Sequence, residues 1–72
     1  MIEIPDITNS ELAHIIDEYI RGRNAERNRK MLKRYLIDGL SFEELAEEFD
    51  LSVRYTQTVI YNTYSKIIKY IK

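Results

Sequence analysis

Apolar residues recur along this chain at helical spacing, in four stretches separated by turn-forming residues. Leu12, Ile15, Ile16, Tyr19 and Ile20 follow the i, i+3, i+4, i+7, i+8 rule of one buried helix face. Thr8-Asn9-Ser10-Glu11 reads as a capping box before them, so a first helix is predicted from Asn9, with Gly22 as its stop. Asn28, Met31, Leu32, Tyr35 and Leu36 share a face of a second helix, predicted over residues 24–38 and closed by Gly39. Ser41-Phe42-Glu43-Glu44 is a second capping box, opening a helix of about two turns whose inner side is Phe42, Leu45, Ala46 and Phe49. Ser52 caps the last helix, along which Thr56, Val59, Ile60, Thr63, Ile67 and Ile71 keep to one side. Neither Gly nor Pro interrupts it, so it should run on for roughly 30 Å at 1.5 Å per residue.

The expectation is an all-α fold: an N-terminal arm over residues 1–8, then one four-helix domain over 9–72. Its third and fourth helices should form a helix-turn-helix over 41–62, the fourth helix being long. Two residues carry that narrower expectation. Ala46 is small where two helices must cross closely, and Leu51 can plug the corner of the short connection Asp50-Leu51-Ser52.

Length bounds the rest, since 72 residues make one domain with a small core. An apolar share of 44% beside 32% charged residues suits a packed helical domain and is too apolar for disorder. With no cysteine there is no disulfide framework, and the single His14 cannot build a zinc site alone, so neither metal nor cofactor is expected. No apolar run approaches the roughly 20 residues of a membrane span, and the N-terminal residues have no signal-peptide pattern, which reads as a cytoplasmic protein without a membrane partner. Glu43, Glu44, Glu47 and Glu48 on one short helix resemble a dipole complement more than a facing pair of catalytic carboxylates, so no enzyme activity is expected.

A net charge of −1 hides a strong segregation. Arg21, Arg23, Arg27, Arg29, Lys30, Lys33 and Arg34 form a block broken only by Glu26, and from Arg54 to Lys72 there are cations and no anion. The face of the second helix with Arg27, Lys30, Lys33 and Arg34 is a solvated cationic surface, one that meets phosphates, or one that meets a protein partner. No structural need for the basic block is evident from the sequence. The tyrosines mostly fall on stripe positions, where they should serve the core.

The run Arg34-Tyr35-Leu36-Ile37-Asp38-Gly39-Leu40-Ser41-Phe42-Glu43-Glu44-Leu45-Ala46-Glu47-Glu48-Phe49, followed by Leu51-Ser52 and a long amphipathic helix, resembles region 4 of bacterial sigma factors. Ala25 to Ile71 is covered, and response-regulator output domains are similar more loosely. Small stand-alone proteins of phages and mobile elements are also similar. The resemblance implies a DNA-binding transcription regulator that reads the major groove with the helix starting near Val53; region 2 of a sigma factor has no room here. Asp50 stands where the family usually has Gly, and Thr56 where an aliphatic residue is usual.

Opposite the buried stripe, Arg54, Gln57, Thr58, Tyr61 and Asn62 are the candidates for base reading in double-stranded DNA, since Arg suits guanine O6 and N7 and Gln suits adenine N6 and N7. Of these, Tyr61 suits a phosphate better than a base. Ser41, Ser52, Arg27, Lys30 and Arg34 are the candidates for phosphate contact. An alternative remains, a module that imitates region 4 and binds RNA polymerase or another transcription protein. Tyr64, Ile68 and Ile71 form a second apolar strip through which the C-terminal helix could make a homodimer.

Overall fold

The computed structural model describes residues 7–70, which form four α-helices and a short 3₁₀ turn. The helices are α1 (Asn9–Tyr19), α2 (Ala25–Leu36), α3 (Phe42–Phe49) and α4 (Val53–Ile67); the 3₁₀ turn is Ile68–Tyr70. Residues 1–6 of the expected arm, and the stripe position Ile71, lie outside the described residues.

Local chemistry sets most boundaries. The Thr8 hydroxyl oxygen accepts from the Glu11 N–H at 3.1 Å and donates its own proton to the Glu11 carboxylate at 2.9 Å, fixing the start of α1. At α3 both halves of the capping box form: Ser41 Oγ accepts from Glu44 N–H, and Glu44 Oε1 accepts from Ser41 N–H at 2.9 Å. α2 stops two residues short of the expected end. Asp38 N–H reaches the Lys33 carbonyl and Leu40 N–H the Arg34 carbonyl, with Gly39 between them at φ 76°, a conformation that a Cβ would strain.

α2 and α4 each touch all three other helices. Leu12, Ile16 and Ile20 from α1 and its cap, Met31, Leu32 and Leu36 from α2, Leu45 from α3, and Val59, Ile60 and Ile67 from α4 make one buried cluster. Phe42, Phe49 and Leu51 pack against it, half-buried. Thr56 and Thr63 are buried in the same seam without leaving a polar atom unpaired. Thr56 Oγ1 donates to the Ser52 carbonyl at 2.9 Å and Thr63 Oγ1 to the Val59 carbonyl at 2.7 Å, so each hydroxyl is absorbed by its own helix.

The connection between α3 and α4 is three residues long, as the sequence indicates. Asp50 takes the left-handed conformation at φ 57° and ψ 50°, and Leu51 N–H then closes back on the Ala46 carbonyl at 2.9 Å. Ala46 is buried at the helix crossing.

Two expectations change. α4 ends at Ile67 after 15 residues, about 22 Å, because the backbone tightens into the 3₁₀ turn. That turn brings Tyr70 onto Tyr19 of α1, rings parallel within 4° and 3.6 Å apart at the centroids. Of the second apolar strip, Tyr64 is half-buried against the core, whereas Ile68 is 42% exposed. Tyr35 and Tyr64 pack against the core as expected, but the other four tyrosines depart from that role: Tyr19, Tyr55, Tyr61 and Tyr70 are exposed, their rings resting on neighbours at the surface.

Two substitutions test this account by thermal or denaturant unfolding. Asp50→Gly should stabilise by about 0.5–1 kcal/mol, relieving part of the left-handed penalty. Ile60→Ala should cost about 2–5 kcal/mol, enough to unfold much of a domain this small. A destabilised Asp50→Gly protein would contradict the turn geometry.

Candidate nucleic-acid interface

α4 is two-sided because its apolar stripe repeats at helical period. With Thr56, Val59, Ile60, Thr63 and Ile67 turned inward, Arg54, Thr58, Tyr61 and Asn62 are exposed on the outer side. Gln57 departs from the other four. It sits on the flank of the helix and is half-buried, so it stands at the margin of this face. Ser65 completes the outer row, exposed, with its hydroxyl on the Asn62 carbonyl at 2.8 Å. Sequence reasoning stopped at the third turn and missed it.

Each exposed side chain has a different degree of freedom. Arg54 has no ion-pair partner among the described residues. Thr58 Oγ1 donates to the Arg54 carbonyl at 3.2 Å, which leaves its oxygen able to accept. Tyr61 is braced: its ring leans on Phe42 at 5.9 Å, and Phe42 in turn stacks on Tyr35 at 4.9 Å, an aromatic row that links α4, α3 and α2. Burial, with the nearby Tyr61 phenol second, pushes the Tyr35 pKa up.

The five phosphate candidates separate. Ser41 and Ser52 use their hydroxyl oxygens as helix caps, Ser52 accepting from Tyr55 N–H at 3.1 Å, and each keeps a hydroxyl proton to donate. Ser41 lies beside Glu43 and Glu44, whereas the first turn of α4 after Ser52 has no acid. Arg34 is engaged by two carboxylates: Nε and Nη2 take Glu48 at 3.1 and 2.6 Å, and Nη1 takes Asp38 at 3.1 Å. Its charge is compensated inside the fold. Lys30 is exposed beside Glu26 and Phe49, with no ion pair among the described residues. Of the three cations among the five, Arg27 alone reaches α4, where its Nη2 lies 3.4 Å from the Tyr55 hydroxyl.

Three more cations of the basic block have structural employment that the sequence does not reveal. Arg29 Nε donates to the Ile20 carbonyl and Arg21 Nε to the Glu18 carbonyl, both at 2.7 Å, tying down the α1–α2 connection. Lys33 pairs with Asp17 at 2.7 Å, joining α2 to α1. Four of the seven cations therefore stabilise backbone ends or bridge helices through a carboxylate, which leaves Arg23, Arg27 and Lys30 as the members of the block without such a role among the described residues. What remains is an acid-free surface: α4 carries no carboxylate, and Arg27, Arg54 and Lys66 are the cations around it. Among the described residues no helix is long and apolar enough to cross a membrane.

Hydrogen bonding from Arg34 holds the Glu48 carboxyl below its ordinary value near 4.5, against a smaller opposing effect of desolvation. A carboxylate whose folded pKa is lowered stabilises the fold above its unfolded pKa, and that contribution is lost as pH falls through the folded value. Glu48→Gln should therefore melt below the wild type near neutral pH, and the gap should narrow at about pH 3. A gap that stays constant between the two conditions would show that the α2–α3 bridge contributes nothing through charge.

No family model, curated protein or solved structure matches this chain, so the function of the α4 surface rests on the residues that compose it.

Proposed function

We propose that this protein is a sequence-specific double-stranded DNA-binding protein, a small cytoplasmic transcription regulator with a helix-turn-helix of the sigma region 4 type, and not an enzyme. The observation that carries this reading is the outer face of α4. It is exposed, free of acids, and presents Arg54, Thr58, Tyr61 and Asn62 along a helix that leaves a tight three-residue turn. A helix about 10–12 Å across fits the major groove, where these donors and acceptors match base edges. Arg54 is the guanine reader, Thr58 and Asn62 discriminate beside it, and Tyr61, held by the aromatic row, meets a phosphate. Gln57 contributes at the edge of the contact. Arg27, Lys30 and Ser52 supply backbone contacts, whereas Arg34 supports the scaffold and Ser41 is shielded by the acids next to it.

A second reading is favoured by one observation: the first two turns of α4 expose a single cation, Arg54, while α3 displays Glu43, Glu44 and Glu47 to solvent. That charge arrangement suits a module that docks on a basic surface of RNA polymerase or another transcription protein. The two readings differ in what the protein retains. Gel-shift titration against genomic fragments at low salt should give a complex for a DNA reader, and a pull-down should recover a polymerase subunit for the docking module.

On the first reading, Arg54→Ala should cost about 1–3 kcal/mol on a selected site and relax the preference at one base pair. Selection from random duplexes, run in parallel for wild type and variant, reads both quantities. Absence of any complex at tens of micromolar protein, roughly the non-specific range, would sink the DNA reading.

A further inference from the structure

A shallow groove of about 200 Å³ lies between the start of α2 and the flank of α4, and no carboxylate lines it. Arg27 and Asn28 form one wall; Tyr55, Thr58, Asn62 and Lys66 form the other. The Arg27 guanidinium is held in place by neutral groups only. Its Nε and Nη2 converge on Asn28 Oδ1 at 3.2 and 3.1 Å, Nη2 also reaches the Tyr55 hydroxyl at 3.4 Å, and its carbon stands 5.6 Å from the Tyr55 ring centroid. Lys33 and Arg34, on the same helix, each have a carboxylate partner; Arg27 and Lys66 have none among the described residues. Two uncompensated cations facing one groove favour an anion there.

From this arrangement we infer that the groove is a clamp for a single DNA backbone phosphate, formed by Arg27, Tyr55 and Lys66 together. The inference rests on the DNA-binding reading and adds the place where the duplex backbone crosses the protein. The phosphate lies between the cations of Arg27 and Lys66. Tyr55 Oη accepts from Arg27 and donates its own proton to a phosphate oxygen. Because Asn28 and the Tyr55 ring already hold the guanidinium, little side-chain freedom is lost on binding. Asn62 and Thr58 line the same groove, so a strand seated in it runs directly beside the base-reading row of α4. Neither Tyr55 nor Lys66 stands out in sequence; the turn of α2 against α4 brings them to Arg27.

Fluorescence anisotropy with a labelled random-sequence duplex, titrated across salt concentrations, tests the clamp. Arg27→Gln and Lys66→Gln should each lower the slope of log Kobs against log salt by about 1, and Tyr55→Phe should weaken binding roughly 3- to 10-fold with the slope unchanged. Lys33→Gln, paired with Asp17 on the α1 side, is the control and should keep the wild-type slope. Melting curves establish that each variant is folded. Wild-type slopes for both Arg27→Gln and Lys66→Gln, with wild-type protein binding the duplex, would overturn the clamp and leave the DNA reading standing. A wild-type protein that binds no duplex at any salt would overturn both, and unaltered affinity of Tyr55→Phe would overturn the clamp in this form.

Discussion

Everything in this fold depends on burying one side of α4. A domain of this size has few apolar residues to remove from water, and Val59, Ile60 and Ile67 stand in the one cluster that all four helices share. The period of 3.6 residues then decides the other side. Once that seam is satisfied, Arg54, Thr58, Tyr61 and Asn62 have nowhere to go but outward, so core and exposed polar face are two consequences of one pattern. The buried threonines fit the same constraint. Their hydroxyls bond to carbonyls one turn back, which lets a polar residue occupy the seam without asking another helix for a partner.

Helices, caps and core were legible in the chain because each is written locally. Thr8, Ser41 and Ser52 mark three helix starts within a few residues of their partners, and the apolar stripes identify the buried faces of all four helices. The end of α4 was not legible, since nothing in Ile67-Ile68-Lys69-Tyr70 forbids further α-helix; the 3₁₀ turn that seats Tyr70 on Tyr19 is a tertiary event. The roles of the cations were the least legible. Arg34 and Arg27 look alike as members of a basic run, yet one meets Glu48 across fourteen residues and the other meets Tyr55 across twenty-eight. Such pairings are set by how helices cross, which composition cannot express.

Charge consequently does two jobs in neighbouring places. On the α1 side and between α2 and α3, cations are neutralised by Asp17, Glu48 and Asp38 and act as ties between helices. Where α2 approaches α4, the tie is made through an amide and a phenol, which orient a guanidinium without cancelling it. A near-zero total is therefore compatible with one wall of positive potential, because the acids have been gathered elsewhere.

The three-residue connection between α3 and α4 has a consequence for the order in which the chain organises. A short loop costs little entropy to close, and Asp50 and Leu51 complete it with bonds to carbonyls only a few residues back. Assembly of that hairpin is nearly a local event, whereas the Tyr19–Tyr70 stack joins the end of α1 to the last described residue. Opening from the stacked end would release the 3₁₀ turn first, since it has no buried residue, and leave the α3–α4 corner intact. The corner that carries the exposed polar face of α4 is thus the part least exposed to fraying.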